Sequence, residues 1–195
     1  MSCRYLFSRI SVGVALAILS TAASSSSAAQ ATGHAAENYV QTGQFRIPES
    51  IRAEHVEVHS ELVRAMKIPG RIGVAARALE AVLAAHFARE EQIALPPLAL
   101  LAPLSRGEFT PEMRAVLPMT DSLRAELPRM LEEHKAIVAA TQRLRDVARA
   151  ARNTTVVEFT DKLALHARSE EELFYPAAVL VGDLVRSRSA APGAP

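Results

Sequence analysis

Cysteine is almost missing from this chain, with Cys3 the only one in 195 residues. Intrachain disulfides, thiolate metal cages and a cysteine nucleophile in the body of the protein are excluded. Tryptophan is absent and aromatic residues make up only 5%. No glycine-rich nucleotide-binding loop occurs, and no second cofactor site can be read. Charge of neither sign dominates: 22 Lys and Arg stand against 21 Asp and Glu. That balance favours neither nucleic acid nor an anionic membrane as partner. The abundant residues are Ala, Leu, Arg and Glu, which favour helix, so an all-α domain is expected.

The N-terminus reads as a secretory signal peptide over residues 1–31. Arg4 and Arg9 give a basic start, Ile10 to Leu19 an apolar run, and Thr21 to Ala31 a stretch of small residues. The apolar run is shorter than the roughly 20 residues needed to cross a bilayer. Ala29-Gln30-Ala31 fits a cleavage site, with Ala22 and Ala29 as other cut points. The expected location is periplasmic or secreted, with no membrane insertion after cleavage. Loss of Cys3, Arg4 and Arg9 leaves a cysteine-free, slightly acidic mature chain, so any metal must be held by nitrogen and oxygen.

Residues 32–47 lack periodicity and read as a flexible lead-in, where His34 has no partner at helical spacing. Residues 48–182 carry four helical patterns. The first starts at Pro48, carries Ile51, His55, Val58, Leu62 and Met66 on one stripe, and stops at Pro69-Gly70. The second runs from about Gly73 to Leu95 with His86 and Glu90 on its inner face, and an irregular apolar link follows over residues 98–109. A short helix ending near Pro118 and a longer one from Thr120 or Asp121 come next, with Pro128 inside it or marking a kink. The inner stripe of the longer helix is Leu127, Leu131, His134, Val138 and Thr141, with Ile137 beside it. Thr155 and Glu158 form a capping-box signature before the last helix, which carries Phe159, Leu163, His166, Glu170 and Leu173. Residues 183–195 read as a disordered tail. Four helices with short or moderate links make an up-down-up-down bundle.

The residues that carry chemistry come in two copies. His86-Phe87-Ala88-Arg89-Glu90-Glu91 is echoed by His166-Ala167-Arg168-Ser169-Glu170-Glu171, each with a histidine and a glutamate one helical turn apart on one face. Glu54-His55 precedes the first copy and Glu133-His134 the second, at nearly the same offset. A histidine or glutamate inside an apolar stripe is costly unless paired or bound to a cation. Four histidines and two carboxylates from four helices can therefore converge on one buried metal site. Imidazole with carboxylate suits iron, manganese or zinc. Taken singly, each copy would pass for a core histidine or a surface ion pair; the duplication is what points to metal.

These stretches resemble the hemerythrin family, in particular bacterial hemerythrin-like domains with a His-His-Glu cation-binding motif. The matching segments are Ala53–Val58, His86–Glu91, Glu132–Ile137 and His166–Pro176, the last ending in a typical Leu-Phe-Tyr-Pro. The resemblance implies a four-helix bundle around two non-haem iron ions with an oxo or hydroxo bridge. Glu90 and Glu170 would be bridging carboxylates, and His55, His86, His134 and His166 terminal ligands. Oxygen-carrying hemerythrins have a second histidine on the third helix, where this chain has Val138. His59, one turn after His55, then stands either as a fifth nitrogen ligand or as an outer histidine bonded to Glu90 or water. Glu170 is preferred to Glu171 because it repeats the Glu90 spacing, and Tyr175 reads as a packing residue. Ferritin-like bundles match less well, because they place glutamate before histidine, three residues apart.

The functional expectation is a cell-envelope di-iron protein binding dioxygen, nitric oxide or iron itself. An enzyme reducing peroxide or nitric oxide, and a metal- or redox-responsive sensor or structural domain, stand as alternatives. Nothing in the chain beyond the site supports turnover.

Overall fold

The computed structural model describes residues 45–190. The signal-peptide expectation, His34 and most of the lead-in lie outside the described residues. Six α-helices run α1 (Glu49–Met66), α2 (Arg71–Arg89), α3 (Leu101–Ser105), α4 (Leu117–Ala150), α5 (Thr154–Ser169) and α6 (Tyr175–Ala190). Among the described residues there is no strand, and no helix is long and apolar enough to cross a membrane. Helices α1, α2, α4 and α5 form the expected up-down-up-down bundle; α1 packs on α2, α2 on α4, α4 on α5, and α5 back on α1.

Each helix buries one stripe. On α1 this is Ile51, His55, Val58, Leu62 and Ala65, recurring every three or four residues. Gly70, with φ 80, makes the tight reversal into α2, a conformation that only glycine adopts without strain. The stripe on α4 differs from the expected one. Met130, His134, Ile137, Thr141 and Leu144 are buried, Leu127 and Leu131 are half-buried, and Val138 is 51% exposed. Ile137, not Val138, continues the face that carries His134.

Several boundaries shift for local reasons. One uninterrupted 34-residue helix replaces the expected short and long pair. Pro118 sits in its first turn, where its missing N–H costs nothing, and Pro128 lies on its exposed face. The cap of α5 is Asn153, whose side chain accepts a hydrogen bond from the Val156 N–H at 3.0 Å, rather than Thr155. The 98–109 link is helical in part: Pro96–Leu100 forms a 3₁₀ turn and α3 follows.

The folded unit is longer at both ends than the 48–182 span. Ile47 is buried in the core and Phe45 packs against the cluster of Leu100, Met113 and Val185, so the end of the lead-in is not loose. At the other end α6 continues to Ala190, and Val185 is fully buried against Leu100, Met113 and Val116. The disordered tail placed at residue 183 therefore began too early. Gly182 permits this packing, since a Cβ there would collide with Thr120 of α4.

The apolar core is split. One cluster contains Val58, Leu83, Ile137 and Leu163, one turn from His55, His86, His134 and His166 on one side. A second contains Ile51, Ala94, Met130 and Tyr175 on the other side. The polar residues of the repeat fill the layer between them.

Candidate metal centre

All six inner residues of the repeat are buried and meet in that layer: His55 from α1, His86 from α2 with Glu90 just past its end, His134 from α4, and His166 from α5 with Glu170 just past its end. The donor atoms fall into two groups, His86–Glu90–His134–Glu170 and His55–His166–Glu170, each within 4.8 Å of one another. Glu170 belongs to both. Its Oε1 lies 2.8 Å from His166 Nε2 and 3.5 Å from His55 Nε2, while its Oε2 lies 3.4 Å from His134 Nε2. Glu90 spans the same divide, with Oε1 3.1 Å from His86 Nε2 and Oε2 3.9 Å from His55 Nε2. Each carboxylate thus presents one oxygen to each half of the centre.

A second ring of carboxylates faces the outer nitrogens. Glu133 Oε2 is 3.0 Å from His86 Nδ1, and Glu171 Oε1 is 2.7 Å from His134 Nδ1. Glu54 lies 3.2 Å from His166 Nδ1 and Glu91 3.4 Å from His55 Nδ1, close enough to pair but not aligned as hydrogen bonds. A carboxylate on Nδ1 fixes the ring orientation and leaves Nε2 free to face inward. The pattern obeys the pseudo-twofold of the sequence: the glutamates before the α1 and α4 histidines reach across to the other half of the chain, while Glu91 and Glu171 serve their own half.

Several inward atoms make no hydrogen bond. Nε2 of His55 and His166, Oε2 of Glu90 and Oε1 of Glu170 are buried with no hydrogen bond. Each such orphan costs about 1–3 kcal/mol in an ordinary core. Several converging on one point fit a cation that would satisfy them together. The donor set, imidazole and carboxylate without sulfur, suits iron, manganese or zinc.

The electrostatics agree. Burial disfavours the His55 imidazolium, yet Glu170, Glu91 and the Glu90 charge outweigh it and raise the pKa from 6.5 to about 10. His86, His134 and His166 are likewise raised by their glutamate partners against burial. Burial, then repulsion from Glu170, pushes the Glu90 carboxyl up. Burial acts on Glu170 in the same direction, but contacts with His134, His166 and His55 prevail and hold it well below the usual range.

His59 stands apart from this centre. It is exposed and belongs to neither donor group, which places it in the outer of its two expected positions. Advancing four residues from His55 rotates about 40° around the helix, and Val58 and Leu62 take the inner face instead. Tyr175 is the opposite case, a buried residue read as packing that enters the site. Its hydroxyl donates to Glu90 Oε1 and lies 3.1 Å from His134 Nε2 and 3.3 Å from His86 Nε2. Burial and the nearby carboxylates push its pKa up.

The local backbone explains Tyr175. At Glu90 and Glu170 the helix widens into a π turn, Glu90–Ala94 and Glu170–Phe174, with N–H groups bonding five residues back. The extra residue aligns i with i+5, so Leu95 lies over Glu90 and Tyr175 over Glu170. Under α spacing Tyr175 would point away, and Leu173, expected inside, is 61% exposed. The signal in the sequence was the repeated proline, Pro96 and Pro176, six residues after each glutamate.

A family model described as the hemerythrin HHE cation-binding domain matches residues 46–178. The chain belongs to this family. Comparison with curated proteins and with solved structures finds no match. Membership accounts for the all-helical bundle and for a buried His/Glu group able to bind metal ions.

Proposed function

We propose that this hemerythrin-family protein is exported and holds two non-haem iron ions between the halves of its bundle, binding dioxygen or another small diatomic there. The observation that carries the reading is the pair of donor groups joined by Glu170, with inward nitrogens and oxygens that make no hydrogen bond in the protein. Bound iron would supply reversible electron transfer and an exchangeable coordination position. The chain supplies the rest. His55, His86, His134 and His166, through Nε2, and the carboxylates of Glu90 and Glu170 would hold the ions, and the outer glutamates hold the rings. The apolar layers on either side exclude water. Export is supported by the basic, apolar and small-residue order of residues 1–31.

The test is metal analysis of protein isolated from its native compartment, then exposure of the reduced protein to air. About two irons per chain with a stable, reversible optical change supports a carrier. Rapid irreversible oxidation with peroxide consumption moves the reading to an enzyme. Protein that takes up no iron overturns it.

A further inference from the structure

The repeat is nearly exact at the ligand positions but not one residue further out. Leu95 and Tyr175 hold equivalent places after the two π turns, and both are buried. Only Tyr175 brings an oxygen. Phe87 and Ala167 differ in the same way on the other side, where the Phe87 ring stacks on His55 with centroids 4.3 Å apart and an interplanar angle of 21°. One half of the centre is therefore oxygen-rich and the other is walled by an aromatic ring.

The position of the tyrosine oxygen is more specific than packing requires. Ligands about 2.1 Å from one ion at right angles lie about 3.0 Å apart. His86 Nε2 and Glu90 Oε1 are 3.1 Å apart, and Tyr175 Oη lies 3.3 Å from His86 Nε2 and 3.1 Å from His134 Nε2. Ligands around a shared ion would have spacings of this kind, and the hydroxyl also contacts Glu90 Oε1 of the same donor group.

We propose that the Tyr175 oxygen is itself a metal ligand, completing the His86–Glu90–His134 set and making the two metal positions chemically unequal. The assignment rests on the metal-binding reading above. As the oxygen–metal bond forms the O–H bond breaks, and the proton is released to solvent with no change in oxidation state. The His55–His166 position has no equivalent oxygen and is the one left to an external ligand.

The experiment uses the protein loaded with ferric iron, its iron content measured first on the same sample. A phenolate bound to ferric iron gives a visible charge-transfer band and resonance-enhanced phenol ring vibrations. The wild type is expected to show both, and Tyr175→Phe to lose both while still taking up iron. The chain has only two other tyrosines, Tyr5 and Tyr39. Should Tyr175→Phe fail to fold, a Tyr5→Phe/Tyr39→Phe variant that keeps the full band assigns it to Tyr175. Iron-loaded wild type without the band, or a band that survives Tyr175→Phe, overturns the assignment and leaves the iron reading standing. No iron uptake by the wild type overturns the reading beneath it, and this assignment with it.

Discussion

Glu90 and Glu170 occupy symmetry-related positions, yet their removal should have unequal consequences. In the metal-free protein Glu170 is the counter-charge for three imidazoles, at 2.8, 3.4 and 3.5 Å, and its carboxyl is held well below the usual range. Glu170→Gln leaves cationic histidines buried without their partner, and breaking a buried pair in this way costs about 3–5 kcal/mol. The Glu90 carboxyl is pushed toward its neutral form, first by burial and then by Glu170 itself. Glu90→Gln imitates that form and should cost about 1 kcal/mol, the worth of an ordinary hydrogen bond. Urea unfolding of the metal-free variants at neutral pH reads the difference as a larger drop in midpoint, at unchanged slope, for Glu170→Gln. Iron content should follow the same order, since Glu170 serves both donor groups and Glu90 is a member of one. An equal or greater loss in Glu90→Gln would refute the charge assignment.

His59→Ala should leave iron per chain unchanged, because the ring is exposed and outside both groups; a halved content returns it to the ligand set. Glu133→Gln should weaken iron binding about 10–100-fold, the usual cost of losing a carboxylate behind a ligating histidine. Its carboxylate bonds His86 Nδ1 while held by Arg89 at 2.6 Å and Arg129 at 3.0 Å, and unchanged affinity in a metal titration would show that the ring needs no such support. For the metal-free protein, His55 rises from 6.5 to about 10 on folding. Its stabilisation is therefore complete below pH 6.5 and is lost as pH rises through about 10, on the order of a few kcal/mol. A denaturation midpoint that stays level or climbs over that range contradicts the pairing.

The bundle and its six buried inner His and Glu residues were legible because α periodicity carried them. His55, His86, His134 and His166 all fell on stripes of Leu, Ile and Val, and the duplication made chance unattractive. The outer glutamates were visible only as neighbours in the sequence. Glu54 and Glu133 precede histidines on their own helices but serve rings on other helices, and pairing across helices leaves no periodic trace. Tyr175 and Leu173 were misplaced because the π turn breaks the period on which the reading relied. His59 shows the opposite limit: it lies one turn from His55, but the packed stripe turns toward Val58 and Leu62 and leaves it exposed. Val138 was exchanged for Ile137 by the same small rotation.

The charges of the pocket explain how such a layer survives folding before metal arrives. Two buried carboxylates alone would repel each other in a medium that screens poorly. The surrounding glutamates raise all four imidazoles toward their protonated forms, so the metal-free layer holds positive charge where cations would sit. Divalent ions bound there would take the place of such protons, and this would tie metal affinity to pH. Because Glu133 reaches from α4 to His86 on α2 and Glu54 from α1 to His166 on α5, the histidines that would hold metal also tie the two helical hairpins together.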